Sequence, residues 1–250
     1  MARKKQPVED LLSQEQQNSD LAVLWRAGRL SFLLHEDQKR VYRQYREWEE
    51  KSLLARKAGE KLPGVYPRVF TFKCSRRWGK DYMSLLIRVE DAIRKKKQIL
   101  TYATAFGKDI SSILIPLMEQ ITTTCPPDLK PVFRLSYQGV EAGFYFRNGS
   151  VIRLVGIDSN LNGLRGRFSD GVTISEASFV DHLQEAVVTI LMPQLQGRQA
   201  ATILLNSTPS TKPGHAFMQN FVPDCEENGR FAKATILDNP LLSELDIRQA

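Results

Sequence analysis

Short apolar runs alternate along the chain with longer segments in which apolar residues recur at helical spacing. Runs rich in β-branched and aromatic residues predict strands at residues 68–73, 98–104, 132–136, 171–174 and 201–205. Periodic apolar positions predict helices at residues 31–54, after an extended entry, and at 82–93, 108–122 and 181–195, the third bent at Pro116. This alternation predicts an α/β fold with a mostly parallel central sheet flanked by helices. Ligands bind to such sheets at the carboxyl ends of the strands.

One pair of strands is predicted to be antiparallel. Asn148 and Gly149 lie between apolar runs at 143–146 and 150–155, and Asn-Gly in that position indicates a hairpin. Residues 1–30 are mostly polar, which predicts a mobile or peripheral helical arm ahead of a single domain at residues 31–250. A last helical pattern starts at residue 243 and stops at residue 250 without a capping glycine, so we expect the chain to be cut within an element.

Composition narrows the class of protein without deciding its function. The 250 residues carry a net charge of +7, which favours a partner that bears phosphates. Three widely spaced cysteines indicate neither a disulfide framework nor a zinc site, and a reducing cytoplasm is expected. No apolar run reaches transmembrane length, and no apolar segment follows the basic start Met-Ala-Arg-Lys-Lys, so we expect neither a transmembrane helix nor a secretory signal. The basic run at residues 94–97 suits either a helix C-terminus or a contact with DNA.

The segment at residues 74–81, Cys-Ser-Arg-Arg-Trp-Gly-Lys-Asp, connects the first strand to the next helix. A strand, a tight loop with Gly-Lys and a helix are the context in which a phosphate-binding loop works, with backbone N–H groups and the helix N-terminus facing the phosphates. Lys80 is predicted to hold the β- and γ-phosphates, while Arg76 and Arg77 contact the γ-phosphate. The predicted nucleotide contacts are Ser75, Arg77, Trp78, Gly79, Lys80 and Asp81.

Two other polar clusters follow apolar strands. Glu176, after the strand at 171–174, is the candidate to activate water for attack on the γ-phosphate. Asn206, Ser207 and Thr208 follow the strand at 201–205, and their small polar groups suit sensing of that phosphate. Because the carboxyl ends of parallel strands meet at one edge, we expect both clusters to lie beside the lysine loop.

The loop departs from the usual phosphate-binding pattern at two positions. Cys74 stands in place of the first glycine, and Asp81 stands where Ser or Thr follows the lysine. Ser175 precedes Glu176, where such hydrolases usually have Asp. We therefore hypothesise an exchanged pair for Mg²⁺, in which Asp81 coordinates the ion and Ser175 supports it or a metal-bound water. The alternative is a degenerate, inactive site in which Asp81 repels phosphate.

The ordered motifs resemble those of the large terminase subunit of tailed bacteriophages, specifically its N-terminal ATPase domain. The resemblance runs from about residue 32 to the end, on residues 75–80, 146–154, 163–167, 174–177, 206–209 and 238–240. It implies a P-loop ATPase core of the ASCE or RecA-like type that uses ATP and Mg²⁺ to drive double-stranded viral DNA into a procapsid. It also implies a ring of subunits on the portal protein and a small terminase partner. The expected location is the host cell cytoplasm.

Carried over by position, the resemblance makes Lys80 the phosphate lysine, Glu176 the catalytic carboxylate and the segment 206–208 the coupling motif. It also implies that Gln38 contacts adenine. Three arginines are candidates for the arginine finger, namely Arg76 in cis and Arg165 or Arg167 acting on a neighbouring subunit. A finger supplied in trans would leave the isolated chain a monomer with slow ATP turnover.

Other interpretations stay open at this point. Large terminases usually carry a C-terminal nuclease, whose start would follow residues 238–240, so we expect no nuclease activity and suspect that the chain is truncated. A helicase or translocase with the same ATPase core is one alternative, although motifs of a second RecA-like domain are absent. A nucleotide-binding scaffold that has lost hydrolysis is another.

Overall fold

The computed structural model describes residues 19–138, 140–158, 161–166, 168–210, 212 and 214–243. The strands in these ranges are β1 Val69–Cys74, β2 Ile99–Thr104, β3 Val132–Arg134, β4 Gly143–Tyr145, β5 Val151–Gly156, β6 Gly171–Ser175, β7 Ile203–Ser207 and β8 Phe231–Ala234. They form one eight-stranded sheet in the spatial order β3-β4-β5-β2-β6-β7-β1-β8. From β5 to β8 every pair of neighbouring strands is parallel, which confirms the predicted sheet.

The antiparallel part of the sheet lies at the other edge. Strand β4 pairs antiparallel with both β3 and β5. The turn between β4 and β5 contains Asn148 and Gly149, and Gly149 has a φ of +84°, a conformation that glycine adopts without strain. The predicted Asn-Gly hairpin is confirmed.

Helices lie on both faces of the sheet. They are α1 Glu36–Lys57, α2 Lys80–Arg94, α3 Ile115–Ile121, α4 Met192–Gln194 and α5 Val222–Glu227. The last three each continue from a π-helical turn and have a proline at the start of the α-helical part. Proline has no N–H to donate, so the hydrogen-bond pattern changes there, and the bend predicted at Pro116 coincides with such a change. None of the described helices has the length and apolar character needed to cross a membrane.

Alternate residues of the central strands enter two apolar cores. On β7, Leu204 packs with the core of α1 and α2, while Ile203 and Leu205 pack with the helices that follow β6. Strands buried on both faces are expected in a parallel sheet that helices cover on both sides. The two cores hold the carboxyl edge of the sheet as a rigid platform.

Two residues of the segment 19–30 belong to the first of these cores. Trp25 and Leu30 are fully buried, and the indole N–H of Trp25 donates to Thr124 Oγ1 at 3.2 Å. Residues 19–26 are helical, so the described part of the predicted helical arm is a helix, and Trp25 packs it against the first core. The domain boundary at residue 31 stays a prediction, and residues 1–18 and the helical pattern at 244–250 lie outside the described ranges.

A buried carboxylate ties α1 to α2. Glu90 of α2 is fully buried and accepts hydrogen bonds from Leu30 N at 2.6 Å and the Tyr42 hydroxyl at 2.7 Å. Arg46 of α1 pairs with the same carboxylate at 2.8 Å. A buried charge is tolerated only when it is paired and hydrogen-bonded, so these contacts fix how α2 lies against α1.

Candidate functional site

The three polar clusters lie side by side at the carboxyl edge of the sheet. Strand β7 lies between β6 and β1. Its register pairs Asn206 with Ser175 of β6 and Ser207 with Lys73 of β1. The clusters therefore converge, as the parallel topology predicts. Two of the polar residues expected after β7, Asn206 and Ser207, are in fact its last two residues.

The loop between β1 and α2 is shaped by Gly79. This residue is the N-cap of α2 and has a φ of +90°, in the left-handed region that favours glycine. A Cβ at Gly79 would lie 2.5 Å from Gln38 Nε2, so a larger residue here would displace the Gln38 amide from its place against the loop. The helix that starts here has 15 residues, and its free N–H groups and dipole favour an anion at this end.

Lys80 occupies the centre of the site. Its Nζ lies 2.9 Å from Asp81 Oδ2 and 2.7 Å from Glu176 Oε1. Burial alone lowers the pKa of Lys80, but the charges of Asp81 and Glu176 outweigh burial and raise the pKa above its ordinary value. Lys80 is therefore a permanent positive charge at the helix N-terminus, where it can attract phosphate oxygens.

The two residues of the proposed exchange are in direct contact. Ser175 Oγ donates a hydrogen bond to Asp81 Oδ1. The Tyr102 hydroxyl lies 3.5 Å from the same oxygen and 2.8 Å from Ser84 Oγ, and Asn206 Nδ2 donates to Ser84 Oγ at 2.9 Å. Burial, followed by the charge of Asp81, raises the pKa of Tyr102 well above its ordinary value, so the phenol stays neutral. A chain of polar groups thus joins Asp81 to the end of β7.

Glu176 is held in an uncommon backbone conformation. Its φ is +54°, in the left-handed region that residues with a Cβ seldom adopt. Its Oε2 accepts from Ser207 Oγ at 3.4 Å. Ser178 in the following turn donates its N–H to Ser207 Oγ at 3.0 Å and its hydroxyl to the Thr208 carbonyl at 2.8 Å. The end of β7 therefore orients the turn that presents the Glu176 carboxylate, which is 25% exposed and accessible to water.

Trp78 anchors the loop in the first core. Its side chain is fully buried, its indole N–H donates to Asp37 Oδ2 at 2.8 Å, and its ring centre lies 4.8 Å from that of Phe72. Sequence reasoning placed Trp78 among the nucleotide contacts. The structure leaves only its backbone for that role, because the indole packs against α1 and β1.

Gln38 lies against the same loop. It is 5% exposed, and its Nε2 donates to the Gly79 carbonyl at 3.2 Å. Its Oε1 and its N–H form a capping box with His35, with both bonds at 3.3 Å. Burial lowers the pKa of His35, which keeps Nδ1 of its ring unprotonated as the acceptor of that box. The predicted adenine-contacting glutamine therefore adjoins the loop with its amide engaged in protein hydrogen bonds.

The loop arginines are exposed. Arg77 has a φ of +60°, and its carbonyl accepts a hydrogen bond from Asn239 Nδ2 at 2.7 Å. Ser75 N–H donates to the Ala234 carbonyl at 3.2 Å, which extends the pairing of β1 with β8. Beside the loop opens a cleft of about 220 Å³, lined by loop residues together with Ile113 and Leu117.

The candidate trans arginines lie in a different part of the chain. Arg165 follows β5 and pairs with Glu185 at 3.0 Å, and both side chains are exposed. Arg167 lies outside the described residues. The structure thus leaves Arg165 on the surface, where a neighbouring subunit could be reached, and it leaves Arg76 on the loop itself.

Several residues of the site were not predicted from the sequence. Tyr102 and Ser84 contact the Asp81 cluster, yet a tyrosine in a strand and a serine in a helix carry no distinctive pattern. Ser84 could have been found from its position one helical turn after Lys80. Asp109 is a further carboxylate near the site, since burial and the charges of Asp81 and Glu176 raise its pKa.

No known family model matches the sequence, and no curated protein matches it. Solved structures do match. The large terminase of a thermophilic bacteriophage superposes with a TM-score of 0.53 at 15% identity, over 81% of this chain and 48% of that chain. The large terminase of bacteriophage HK97 also gives 0.53, at 10% identity, over 81% of this chain and 45% of that chain. The chain has the fold of a phage large terminase.

The terminase likeness concerns architecture, because identities this low show a shared fold alone. It confirms the predicted fold, a P-loop core with a mostly parallel sheet flanked by helices. The chain spans about half the length of the solved large terminases that it matches. The first of these two, the thermophilic phage terminase, has been solved in complex with ADP and with ATP-γ-S.

Proposed function

We propose that this chain is the ATP-hydrolysing domain of a motor that translocates double-stranded viral DNA into a procapsid. The observation that carries the proposal is the position of Lys80. It lies at the start of α2, between Asp81 and Glu176, on the carboxyl edge of the sheet. The terminase fold and the complexes of the thermophilic phage terminase with ADP and ATP-γ-S support a nucleotide as the ligand of this edge.

Each residue of the site then has a distinct role. Lys80 and the loop N–H groups bind the β- and γ-phosphates. Glu176, oriented by Ser207, accepts a proton from the attacking water. Arg76, or Arg165 or Arg167 of a neighbouring subunit, adds positive charge at the γ-phosphate.

Other residues connect the nucleotide to the rest of the domain. Gln38 contacts adenine after giving up its bond to the Gly79 carbonyl. Asn206, Ser207 and Thr208 pass the state of the γ-phosphate to the sheet. Their hydrogen bonds to Ser84, Glu176 and Ser178 provide the contacts for this coupling.

The oxygen-rich surroundings of Asp81 fit Mg²⁺. This ion prefers oxygen ligands and is usually bound by one or two carboxylates together with substrate phosphates. Asp81 and Ser175 already share a hydrogen bond, so a carboxylate and a hydroxyl are present in one place. In this proposal Asp81 would coordinate the ion directly, and Ser175 would support the ion or a water bound to it. The ion would supply positive charge that offsets the charge of the phosphates.

The partners follow from the proposed role. They are double-stranded DNA, a portal protein and a small terminase subunit, with several copies of the chain forming a ring on the portal in the host cell cytoplasm. The net charge of +7 suits contacts with DNA phosphates. Such contacts would be insensitive to base sequence, as a packaging motor requires, and would weaken steeply with added salt.

The central experiment compares ATP hydrolysis by the wild type and by Glu176→Gln. Loss of a general base lowers turnover by roughly 10²–10⁴-fold, while binding of a fluorescent ATP analogue should be retained because the loop and Lys80 remain. Glu227→Gln, an exposed glutamate at the end of α5, is the matched control and should leave the basal turnover of the isolated chain unchanged. Equal hydrolysis by the Glu176→Gln variant would refute the assigned role, and tight binding without any wild-type hydrolysis would indicate a scaffold.

A second experiment tests the exchanged metal pair. Asp81→Ser and Ser175→Asp are made singly and together, and ATP turnover is measured against Mg²⁺ concentration. If the two positions share one ion, the double variant should recover turnover relative to the worse single variant. If the double variant turns over ATP no faster than the worse single variant, the hypothesis of a coupled exchange is refuted.

A further inference from the structure

The segment after β8 reaches back to the phosphate-binding loop. Asn239 is 7% exposed, and its Nδ2 donates to the carbonyl oxygen of Arg77 at 2.7 Å. Backbone pairing between the two chain segments extends as far as Ser75 N–H and the Ala234 carbonyl, 3.2 Å apart. The hydrogen bond of Asn239 therefore extends the contacts between the segment after β8 and the loop as far as Arg77, in the middle of the loop.

Asn239 itself is held by a short rigid turn. The 3₁₀ turn Ile236–Asp238 is closed by a capping box in which Thr235 and Asp238 bond to each other. Asn239 N–H donates to the Ile236 carbonyl at 3.2 Å, and Asn239 Oδ1 accepts from Leu241 N–H at 3.0 Å. Since Oδ1 is committed to an N–H donor, the amide nitrogen must be the atom that faces Arg77.

This contact determines the orientation of one peptide group of the loop. In a trans peptide the C=O and the following N–H point in opposite directions. Holding the Arg77 carbonyl on Asn239 therefore directs the Trp78 N–H away from Asn239. Arg77 also has a φ of +60°, a conformation that needs such support in a residue with a Cβ.

We propose that Asn239 is a positioning residue for the phosphate-binding loop. Its bond to Arg77 links the segment 235–243 to nucleotide binding, and this consequence for nucleotides rests on the proposed function. Because linkage is reciprocal, a nucleotide that orders the loop also orders the segment, and a break in the bond weakens both effects. The segment after β8 thereby responds to the occupancy of the site.

The test uses Asn239→Asp, which is nearly the same size and keeps the acceptor for Leu241 N–H but loses the donor to Arg77. Hydrogen–deuterium exchange is measured on peptides that cover residues 75–80 and 235–243, with and without ATP-γ-S. Leu241→Ala is the matched control, because this side chain lies in the same segment and is 78% exposed. Asn239→Ala provides a second variant in case the aspartate disturbs folding.

The expected result is faster exchange in the loop of nucleotide-free Asn239→Asp and wild-type exchange in the Leu241→Ala loop. In the wild type, ATP-γ-S should slow exchange in the segment 235–243, and Asn239→Asp should abolish that protection. Loss of one hydrogen bond should raise the KM for ATP roughly five- to tenfold and leave kcat within about twofold.

Unchanged loop exchange in both Asn239 variants would overturn the positioning role, whether or not the chain hydrolyses ATP. An equal effect of Leu241→Ala would also overturn it, since general loosening of the segment would then explain the result. A wild-type chain that fails to turn over ATP refutes the proposed function instead. In that case faster loop exchange in the Asn239 variants still supports the positioning role.

Discussion

The stability of the nucleotide-free protein should depend strongly on Lys80. Its ammonium lies within 3 Å of two carboxylates, those of Asp81 and Glu176. Lys80→Met preserves most of the side-chain length and apolar volume but removes the charge. The variant leaves both carboxylates close together and without their counter-ion, and we therefore expect a less stable fold.

The magnitude follows from distance and burial. Two unit charges at such distances attract by about 6 kcal/mol at an effective dielectric constant of 20, and the cost of removing the lysine from water offsets part of this. Removing one partner of a buried ion pair costs about 3–5 kcal/mol, against less than about 1 kcal/mol on the surface. The side chains of Asp81 and Glu176 are 18% and 25% exposed, so we expect a loss of about 3 kcal/mol.

Urea denaturation followed by circular dichroism measures this loss as a free energy of unfolding. In a thermal scan it corresponds to a decrease of roughly 6–12 °C in Tm. Adding Glu176→Gln to Lys80→Met should restore at least about 1 kcal/mol by removing one of the two facing charges. The matched control is Lys108→Met, since Lys108 is largely solvent-accessible at the surface and its loss should change stability by less than about 0.5 kcal/mol. A Lys80→Met protein as stable as the wild type, or a double variant less stable than Lys80→Met, would refute the reasoning.

Three further predictions follow from buried groups. Trp78→Phe removes the bond to Asp37 and should cost about 1–3 kcal/mol of unfolding free energy, measured in urea. Folding lowers the pKa of His35 below its ordinary 6.5, so its contribution to stability is complete above that pH and is lost as pH falls. His35→Asn keeps a capping acceptor and should flatten this part of the stability curve. Burial raises the pKa of Cys125 to about 12 and that of Cys225 to about 11, so iodoacetamide should label the native protein far more slowly than the unfolded protein, as mass spectrometry would show.

Each of these predictions has a clear contrary result. Unchanged unfolding of Trp78→Phe would mean that the indole bond contributes nothing. A pH dependence that persists unchanged in His35→Asn would assign it to other groups. Equal labelling rates in native and unfolded protein would show that the cysteines open to solvent readily.

The sheet was largely predictable because its signals are local. The buried strands consist of β-branched and aromatic residues, and the Asn-Gly turn has one strongly favoured conformation. The ends of β6 and β7 were placed too early, since Ser175, Asn206 and Ser207 are polar. These side chains are nonetheless buried, because each has a hydrogen-bond partner within the site. Ser175 bonds to Asp81, Asn206 to Ser84 and Ser207 to Glu176. A polar residue indicates the end of a strand when its side chain is hydrogen-bonded to water, but not when other protein groups satisfy its hydrogen bonds.

Contacts made by the loop could not be read from its own sequence. Trp78 looks like a loop residue between polar neighbours, yet α1 supplies Asp37 as its partner and β1 supplies Phe72. Asn239 belongs to a motif 162 residues after Arg77, and its role depends on where β8 lies in the sheet. Pairings of this kind come from strand order, which hydrophobic periodicity does not specify.

The contact between Asp81 and Ser175 follows from the topology of the fold. The two residues are 94 positions apart. Strand β1, which leads into the loop before Asp81, is not a neighbour of β6, because β7 lies between them. Helix α2 closes the gap, since it packs over β7 and β6 and Asp81 lies in its first turn. In this chain, therefore, the direction in which α2 leaves the lysine loop brings the residue after Lys80 into contact with the residue before Glu176. The exchange of a hydroxyl for a carboxylate at one position is therefore open to compensation at the other, and the double variant measures that compensation directly.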